Sequence, residues 1–252
     1  EKDFKEIVAV MSQLYRNLHE INELTLMNRI KSKILHTDTF SYEYAVRNKV
    51  LEFFVGCKKY HADLIEKFAK AGKAIFCEKP VDLDISRVQA CLTVVQDENA
   101  TLMVGFNRRF DPDFQALKAS IDAGQIGEVE MVTIISRDPA APPDDYIKRS
   151  GGIFRDMMIH DFDVARWILG EEVNSVRAVA SVLTDPKFSK YNDFDSANSI
   201  LTTTSGKQCT ITNSRRASFG YDQRIEVHGS LGCVSAENHH LSRITVANAQ
   251  GY

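Results

Sequence analysis

The stretch HADLIEKFAKAGKAIFCEKP, residues 61–80, decides the fold prediction for the first half of the chain. Its apolar residues recur at helical spacing from Ala62 to Ala69, and Gly72 is typical of the position just past a helix end. The apolar run within 73–80 predicts a buried strand that leads into a proline-containing turn. A helix followed at once by a buried strand is the repeating unit of a parallel sheet.

The same alternation extends to both sides of this stretch. Buried strands are predicted at 5–12, 50–56 and 101–106, and helices at 13–34 and 84–99. Asp84 is a plausible N-cap for the last of these helices. We therefore predict that residues 1–106 form an α/β domain, a partial Rossmann fold with a doubly wound parallel sheet.

The pattern changes after residue 106, where antiparallel signals replace the strand–helix alternation. A helix is predicted at 111–123, a strand at 128–137, a Pro-rich loop at 138–147 and a helix at 152–169. Alternating apolar segments then follow at 173–184, 195–204, 207–214, 223–229, 231–236 and 242–247, with hairpin-type connections such as TSGKQ and GSLG. Residues 107–252 are therefore predicted to form an α+β domain with a large open, mainly antiparallel sheet.

The bulk composition of the chain narrows the class of protein. A net charge of −3 over 252 residues argues against binding to nucleic acid or to an anionic membrane. The pair Arg215–Arg216 is interpreted as solvated surface or as local ligand contacts. The five cysteines are odd in number and lack metal-ligand spacing, which predicts free thiols, no metal site and a reducing, cytoplasmic location.

The helix in GGIFRDMMIHDFDVARW, residues 151–167, is unusually acidic for a segment that looks half buried. Asp156, His160, Asp163 and Trp167 fall on one stripe, and residues four apart can touch. A carboxylate beside an imidazole fixes its tautomer and raises its basicity, which suits a general base. A purely structural Asp–His pair, solvated acids or a metal site lacking a clear third ligand are the alternatives. The preceding glycines favour a polar or anionic ligand at the helix start.

Two further stretches place polar side chains where strands end. In FCEKP, 76–80, Lys79 follows a strand and could hold a substrate hydroxyl, with Glu78 keeping it charged; a surface ion pair is the alternative. In VGFNRRFDPDF, 104–114, Arg108 or Arg109 could face a ligand or pair with Asp111.

A third stretch, residues 213–232, carries an aromatic residue directly after a glycine. Tyr221 follows Gly220 and could aim its phenol into a cleft, or it could be an ordinary aromatic residue of the sheet.

Together, the motifs GKAIFCEKP, MVGFNRRFDPDF, SRDP, SGGIFRDMMIHDFDVARWILGEE and GYDQRIEVHGSLG resemble those of the Gfo/Idh/MocA family in order and spacing. The resemblance runs from about His61 to about Ser235 and is greatest to its inositol dehydrogenase branch. It implies a Rossmann domain for NAD or NADP and a second domain whose open sheet forms oligomer contacts. It also implies hydride transfer between a secondary alcohol of a cyclitol or sugar and nicotinamide.

The resemblance also implies a role for each catalytic residue. His160 would take the hydroxyl proton, Asp156 would orient and polarise His160, and Lys79 would hydrogen-bond the reacting oxygen. The hydride chemistry itself belongs to the cofactor.

The remaining site residues are implied as contacts to cofactor and substrate. Asn107 and Tyr221 are the predicted substrate contacts. The chain is also expected to assemble with copies of itself into a homo-oligomer, a dimer or a tetramer. The predicted cofactor contacts are Ser12, Glu78, Lys79, Pro80 and Arg109. Ser12, with Arg16 nearby, tilts the cofactor preference toward NADP.

The chain departs from the family pattern at its two ends. It contains no Gly-x-Gly-x-x-Gly. It is therefore expected to begin after the phosphate-binding turn and to stop short of the family's C-terminal strands and helix. The alternative function is accordingly a non-catalytic ligand-binding or oligomer-forming homologue, or an inactive fragment.

Overall fold

The computed structural model describes residues 60–218 and 220–238. The predictions for 5–12, 13–34, 50–56 and 242–247 therefore lie outside the described residues. Two compact units divide the chain, the first ending at Asn107 and the second beginning at Arg108. Among the described residues, no helix combines the length and the apolar composition that crossing a bilayer requires.

The first unit alternates helices and strands as predicted. Its elements are α1 (His61–Lys70), β1 (Ile75–Cys77), α2 (Ile85–Asp97) and β2 (Leu102–Val104). The two strands pair in parallel, with Ile75 opposite Leu102. Both helices contribute to the buried cluster of Ala62, Ile65, Ala69, Ile75, Cys77, Cys91 and Val95. The parallel pair confirms the α/β prediction for this part of the chain.

The ends of these helices follow local rules. The Asp84 side chain accepts a hydrogen bond from the backbone N–H of Ser86, so it is the N-cap of α2, as predicted. Gly72 adopts a φ of +64° just beyond α1, a conformation that costs glycine little because it has no Cβ.

The second unit is a six-stranded mixed sheet with helices on one face. A 3₁₀ turn (Asn107–Phe110) leads into it across the unit boundary. Its elements are α3 (Pro112–Asp122), β3 (Val129–Arg137), α4 (Asp144–Ser150), a π-helical turn (Phe154–Met158), α5 (Ile159–Leu169), β4 (Val173–Ser181), a 3₁₀ turn (Pro186–Tyr191), β5 (Ser196–Thr203), β6 (Gln208–Ser214), β7 (Asp222–Gly229) and β8 (Gly232–Ala236). The strand order is β4-β5-β6-β3-β7-β8. Only the β3–β6 pair is parallel among these strands, which confirms the predicted mainly antiparallel sheet.

The inner face of this sheet packs against α3 and α5. Alternate strand residues point inward and are almost fully buried, as Ile134, Ile211 and Val227 show. The outer face exposes the large apolar side chains of Met131 and Ile200.

One predicted boundary was wrong, and one predicted helix has the expected bounds but not a uniform geometry. The segment 138–147, predicted as a loop, contains the start of α4, because Pro143 is the N-cap residue and acidic residues fill the first helical turn. The segment 152–169 is helical but not uniformly α, since Phe154–Met158 forms a π-helical turn.

Candidate active site

Asp156 and His160 lie on the same helical segment, Asp156 in the π-helical turn and His160 at the start of α5. In an α-helix, residues four apart are rotated by about 40° relative to each other. A turn closed by i→i+5 hydrogen bonds contains more than four residues. The side chains of residues four apart therefore point in more nearly the same direction from the helix axis. Single π turns of this kind occur often at functional sites.

Two donors hold the Asp156 carboxylate, the half-buried Tyr146 and the buried Arg215. Tyr146 of α4 donates its hydroxyl to Oδ1 at 2.6 Å, and Arg215 donates from Nη2 to Oδ2 at 2.9 Å. Asp156 itself is only 4% exposed. Its two oxygens are therefore aimed by groups from separate parts of the fold, one on each side.

Both donors keep their protons around neutral pH. Burial and the neighbouring Asp156 raise the pKa of the Tyr146 phenol far above its usual range. Burial alone lowers the pKa of Arg215, but Asp156 and Asp138 outweigh it and raise that pKa. Arg215 also donates from Nη1 to Asp138 at 2.8 Å. Because the guanidinium of Arg215 can only donate and carries a positive charge, its contact favours the ionised form of Asp156.

The start of this helical segment is occupied by the chain itself. Oδ1 of Asp193 accepts a hydrogen bond from the backbone N–H of Ile153 at 3.0 Å. A Cβ built on Gly152, whose φ is +84°, would lie 2.8 Å from that oxygen, so only glycine fits. The sequence-based expectation of a ligand at the helix start is therefore wrong, since the anion there is Asp193.

The other acids of the helix hold arginines. Asp161 is fully buried and pairs with Arg108, while Nδ2 of Asn213 donates to its second oxygen at 2.8 Å. Burial raises the pKa of Asp161, whereas Arg108 and Asn213 act in the opposite direction.

Asp163 binds Arg109 through two hydrogen bonds of 2.7 Å. The same guanidinium lies 5.8 Å from the ring centre of Trp167. Neither Arg108 nor Arg109 pairs with Asp111, which instead caps α3 by accepting from the backbone N–H of Asp113. The structural ion pair is thus the alternative that the structure shows, while a cofactor contact by Arg109 stays a prediction.

In the first unit, the predicted Glu78-Lys79-Pro80 turn follows directly after β1. His61, at the start of α1, donates from Nδ1 to the Pro80 carbonyl at 2.8 Å and so fixes this turn. Gly105 follows β2, and a Cβ there would lie 3.2 Å from Oε1 of Glu78. Lys79 is half buried at this edge, where the carboxyl ends of two parallel strands meet.

This edge is the position at which open α/β sheets bind dinucleotides. The cationic Lys79 at this edge fits one end of a nicotinamide nucleotide, so the residue type present agrees with that cofactor class. Ser12 lies outside the described residues.

The two predicted substrate contacts take ordinary positions in the fold. Asn107 is half buried in the 3₁₀ turn that ends the first unit. Tyr221 precedes β7 and is 60% exposed, so it is not an aromatic residue within a strand. Their substrate roles stay predictions.

Comparison with known proteins identifies the family of the chain. Residues 3–106 match an oxidoreductase family domain with an NAD-binding Rossmann fold, and residues 114–235 match the GFO/IDH/MocA C-terminal domain. The chain belongs to this family, as the sequence motifs predicted.

Several relatives are inositol dehydrogenases by name. The chain is 67% identical over 192 residues to the inositol 2-dehydrogenase of Rhizobium meliloti, covering 76% of this chain and 58% of that protein. It is 48% identical over 191 residues to the myo-inositol 2-dehydrogenase of Thermotoga maritima, covering 76% and 57%. The chain thus spans less than two thirds of either relative.

A solved structure shares the architecture over more of the chain. The scyllo-inositol dehydrogenase of Lactobacillus casei, with bound NAD(H) and scyllo-inositol, is 27% identical with a TM-score of 0.71. That similarity covers 92% of this chain and 78% of the other.

Sequence reasoning missed three residues that build the site. Arg215, interpreted as solvated surface or a local ligand contact, is only 4% exposed and pairs with two carboxylates. Tyr146 lay in the segment predicted to be a loop, and Asp193 gave no helical or strand signal. Only the placement of Arg215 directly after a predicted strand hinted that it lies at a sheet end.

Proposed function

We propose that this chain carries the site of an NAD-dependent dehydrogenase that oxidises a secondary alcohol of an inositol or a related sugar. The observation that carries the proposal is the buried Tyr146–Asp156–Arg215 network, which fixes one carboxylate on the helix of His160. The names of the relatives support an inositol as substrate and NAD as cofactor.

In this proposal, His160 is the general base. It takes the proton of the substrate hydroxyl while the carbinol hydrogen leaves with its electron pair, so that the alcohol becomes a ketone. Nicotinamide, when bound, supplies the hydride acceptor.

Asp156 acts through His160 by stabilising the imidazolium that forms. Tyr146 and Arg215 are positioning residues, because they hold Asp156 ionised and in one orientation. Lys79 is assigned to the reacting oxygen on the family resemblance alone, as are the cofactor contacts of Ser12, Glu78, Pro80 and Arg109 and the substrate contacts of Asn107 and Tyr221.

The direct test measures formation of NADH, and of NADPH in parallel, with myo-inositol and scyllo-inositol. His160→Ala should lower the rate by about 100-fold or more if His160 is the base. Asp156→Asn should lower the rate as well, whereas Asp145→Asn, at an exposed position of α4, is the matched control and should not. A rate that His160→Ala leaves unchanged removes this residue from the mechanism.

A non-catalytic ligand-binding or oligomer-forming homologue is the second candidate. A chain with this function would not bind the nicotinamide cofactor productively. Titration with NADH, followed by the fluorescence of the bound nucleotide, separates the two candidates. No binding and no turnover with any inositol would support the non-catalytic function.

The outer sheet face supports a homo-oligomer as a further part of the proposal. Val179 and Ile200 lie on this face and are 69% and 48% exposed. Exposed apolar side chains of this kind mark protein–protein interfaces. Ile200→Lys should shift the molar mass in light scattering toward the monomer, and Leu231→Lys in the exposed β7–β8 turn is the control.

Two further expectations belong to this proposal. We propose a division into a cofactor domain, 1–106, and a substrate and oligomer domain, 107–252. We also propose a cytoplasmic location, supported by the absence of disulfides among the described cysteines Cys77, Cys91, Cys209 and Cys233.

A further inference from the structure

Three side chains on the outer face of the sheet bring three different metal-ligand atoms together. Glu226 and His228 lie two residues apart on β7 and therefore point to the same face. Cys233 of β8 is the direct cross-strand partner of His228. Their carboxylate oxygen, imidazole nitrogen and sulfur atoms all lie within 4.8 Å of one another. This cluster, Glu226–His228–Cys233, has no part in the proposed dehydrogenase chemistry.

The spacing of the cluster is close to that of a zinc site. Nε2 of His228 lies 2.9 Å from Oε1 of Glu226 and 3.9 Å from Sγ of Cys233. Around a tetrahedral zinc ion with ordinary bond lengths, these separations are about 3.4 Å and about 3.6 Å. The observed distances therefore differ from the zinc geometry by about 0.5 Å and about 0.3 Å, which side-chain rotation can supply.

The backbone that carries the cluster is fixed. In the turn between β7 and β8, the backbone N–H groups of Ser230 and Leu231 donate to the carbonyls of Glu128 and Ile126. A Cβ on Gly229 would lie 2.3 Å from the Ile126 carbonyl oxygen, so the two segments are in close contact. A rigid hairpin lowers the entropic cost of collecting three ligands around an ion.

The ligand chemistry selects among cations. A thiolate and an imidazole favour zinc and similar late first-row divalent ions over magnesium or calcium, which prefer oxygen ligands. Three protein ligands leave a fourth position open for water. All three side chains are exposed, so an ion can reach them directly from solvent.

We propose that Glu226, His228 and Cys233 form a zinc-binding site within a single chain, on the outer face of the sheet. On binding, the Cys233 thiol loses its proton and the sulfur–metal bond forms, while His228 gives up the Nε2 proton that it donates to Glu226, carries its ring proton on Nδ1 and binds the metal through Nε2. The site lies beside Met131, the cross-strand partner of His228, whereas Val179 and Ile200 lie on β4 and β5 toward the other edge of the sheet.

The test uses the full, reduced, metal-free chain titrated with Co²⁺ and then with Zn²⁺. A thiolate–cobalt charge-transfer band in the near ultraviolet should appear, saturate at one ion per chain and disappear when Zn²⁺ displaces the cobalt. Cys233→Ser should abolish the band. His228→Ala and Glu226→Gln should weaken zinc binding at this site by about 100-fold or more, since losing even a residue that only supports a ligand costs 10–100-fold.

Glu130→Gln is the matched control, because Glu130 is an exposed carboxylate on the neighbouring β3 that lies outside the cluster. The fluorescence of Trp167 verifies that each variant is folded. The proposal is overturned if the band is absent, if it persists in Cys233→Ser, or if it saturates at half an ion per chain, which would mean that two copies share the metal. None of these readouts depends on dehydrogenase activity.

Discussion

Replacing Arg215 by methionine should destabilise the second unit strongly. Arg215 and Asp156 are 5% and 4% exposed at their side chains, so the substitution leaves a buried carboxylate without its cation. Removing one partner of a buried ion pair costs about 3–5 kcal/mol. The second pair, with Asp138, adds little, because that carboxylate is 23% exposed and its interaction is screened by solvent. We therefore expect a loss of about 3–4 kcal/mol in the free energy of unfolding.

The chain provides a specific probe for this measurement. Trp167 is the single tryptophan of the sequence and lies on α5, in the same unit as Arg215. Urea denaturation followed by its fluorescence at pH 7 reports the stability of that unit. Arg216→Met is the matched control, because Arg216 is exposed, and it should change stability by less than about 0.5 kcal/mol.

A double-mutant cycle tests the cause of the effect. In an Asp156→Asn background the buried charge is gone, so Arg215→Met should cost about 2 kcal/mol less than in the original chain. If Arg215→Met costs under about 1 kcal/mol, or the same amount in both backgrounds, the buried network does not hold Asp156 in the way argued above.

Three further predictions follow from other parts of the fold. Gly229→Ala should lower the free energy of unfolding by about 2 kcal/mol in urea denaturation, because its Cβ would lie 2.3 Å from a backbone carbonyl oxygen. Burial raises the pKa of Cys209 to about 12, so at pH 8 a thiol reagent should label exposed Cys233 and leave Cys209 unmodified in peptide mass spectrometry of the native protein. Hydrogen bonds from Ser205 and Lys207 lower the pKa of Glu171 to about 2, so the stability this carboxylate contributes is present above about pH 4.5 and is lost as pH falls toward 2. The carboxyl ¹³C shift of Glu171 should titrate accordingly, and Ser205→Ala should raise its midpoint; a midpoint that stays the same would contradict the assignment.

Most of the described fold could be predicted because its signals are local. The apolar face of α1, the Asp84 cap and the alternation along β5 to β8 each depend on a few neighbouring residues. Packing then reinforced these local preferences instead of overriding them.

The parts that could not be predicted depend on residues far apart in sequence. The carboxylate of Asp193 that caps the helix at Ile153 lies 40 positions away, and Arg215 lies 59 positions from Asp156. An arginine next to a second arginine looks like solvated surface until its partners are known, because burial of a charge is decided by the partner and not by the neighbouring sequence. The same reasoning applies to Asp161 and Asp163, whose arginine partners were predicted to pair elsewhere or to bind a ligand.

The parallel pairing of β3 with β6 has a consequence for how the protein is made. Ser136 of β3 and Asn213 of β6 lie 77 positions apart in the chain, and both neighbours of β3 are synthesised long after it. At about 5–20 residues per second, β3 waits roughly 4–15 s on the ribosome before β6 emerges. During that interval an apolar strand has two unpaired edges, so nascent chains of this protein need protection from aggregation, and the sheet closes late and slowly.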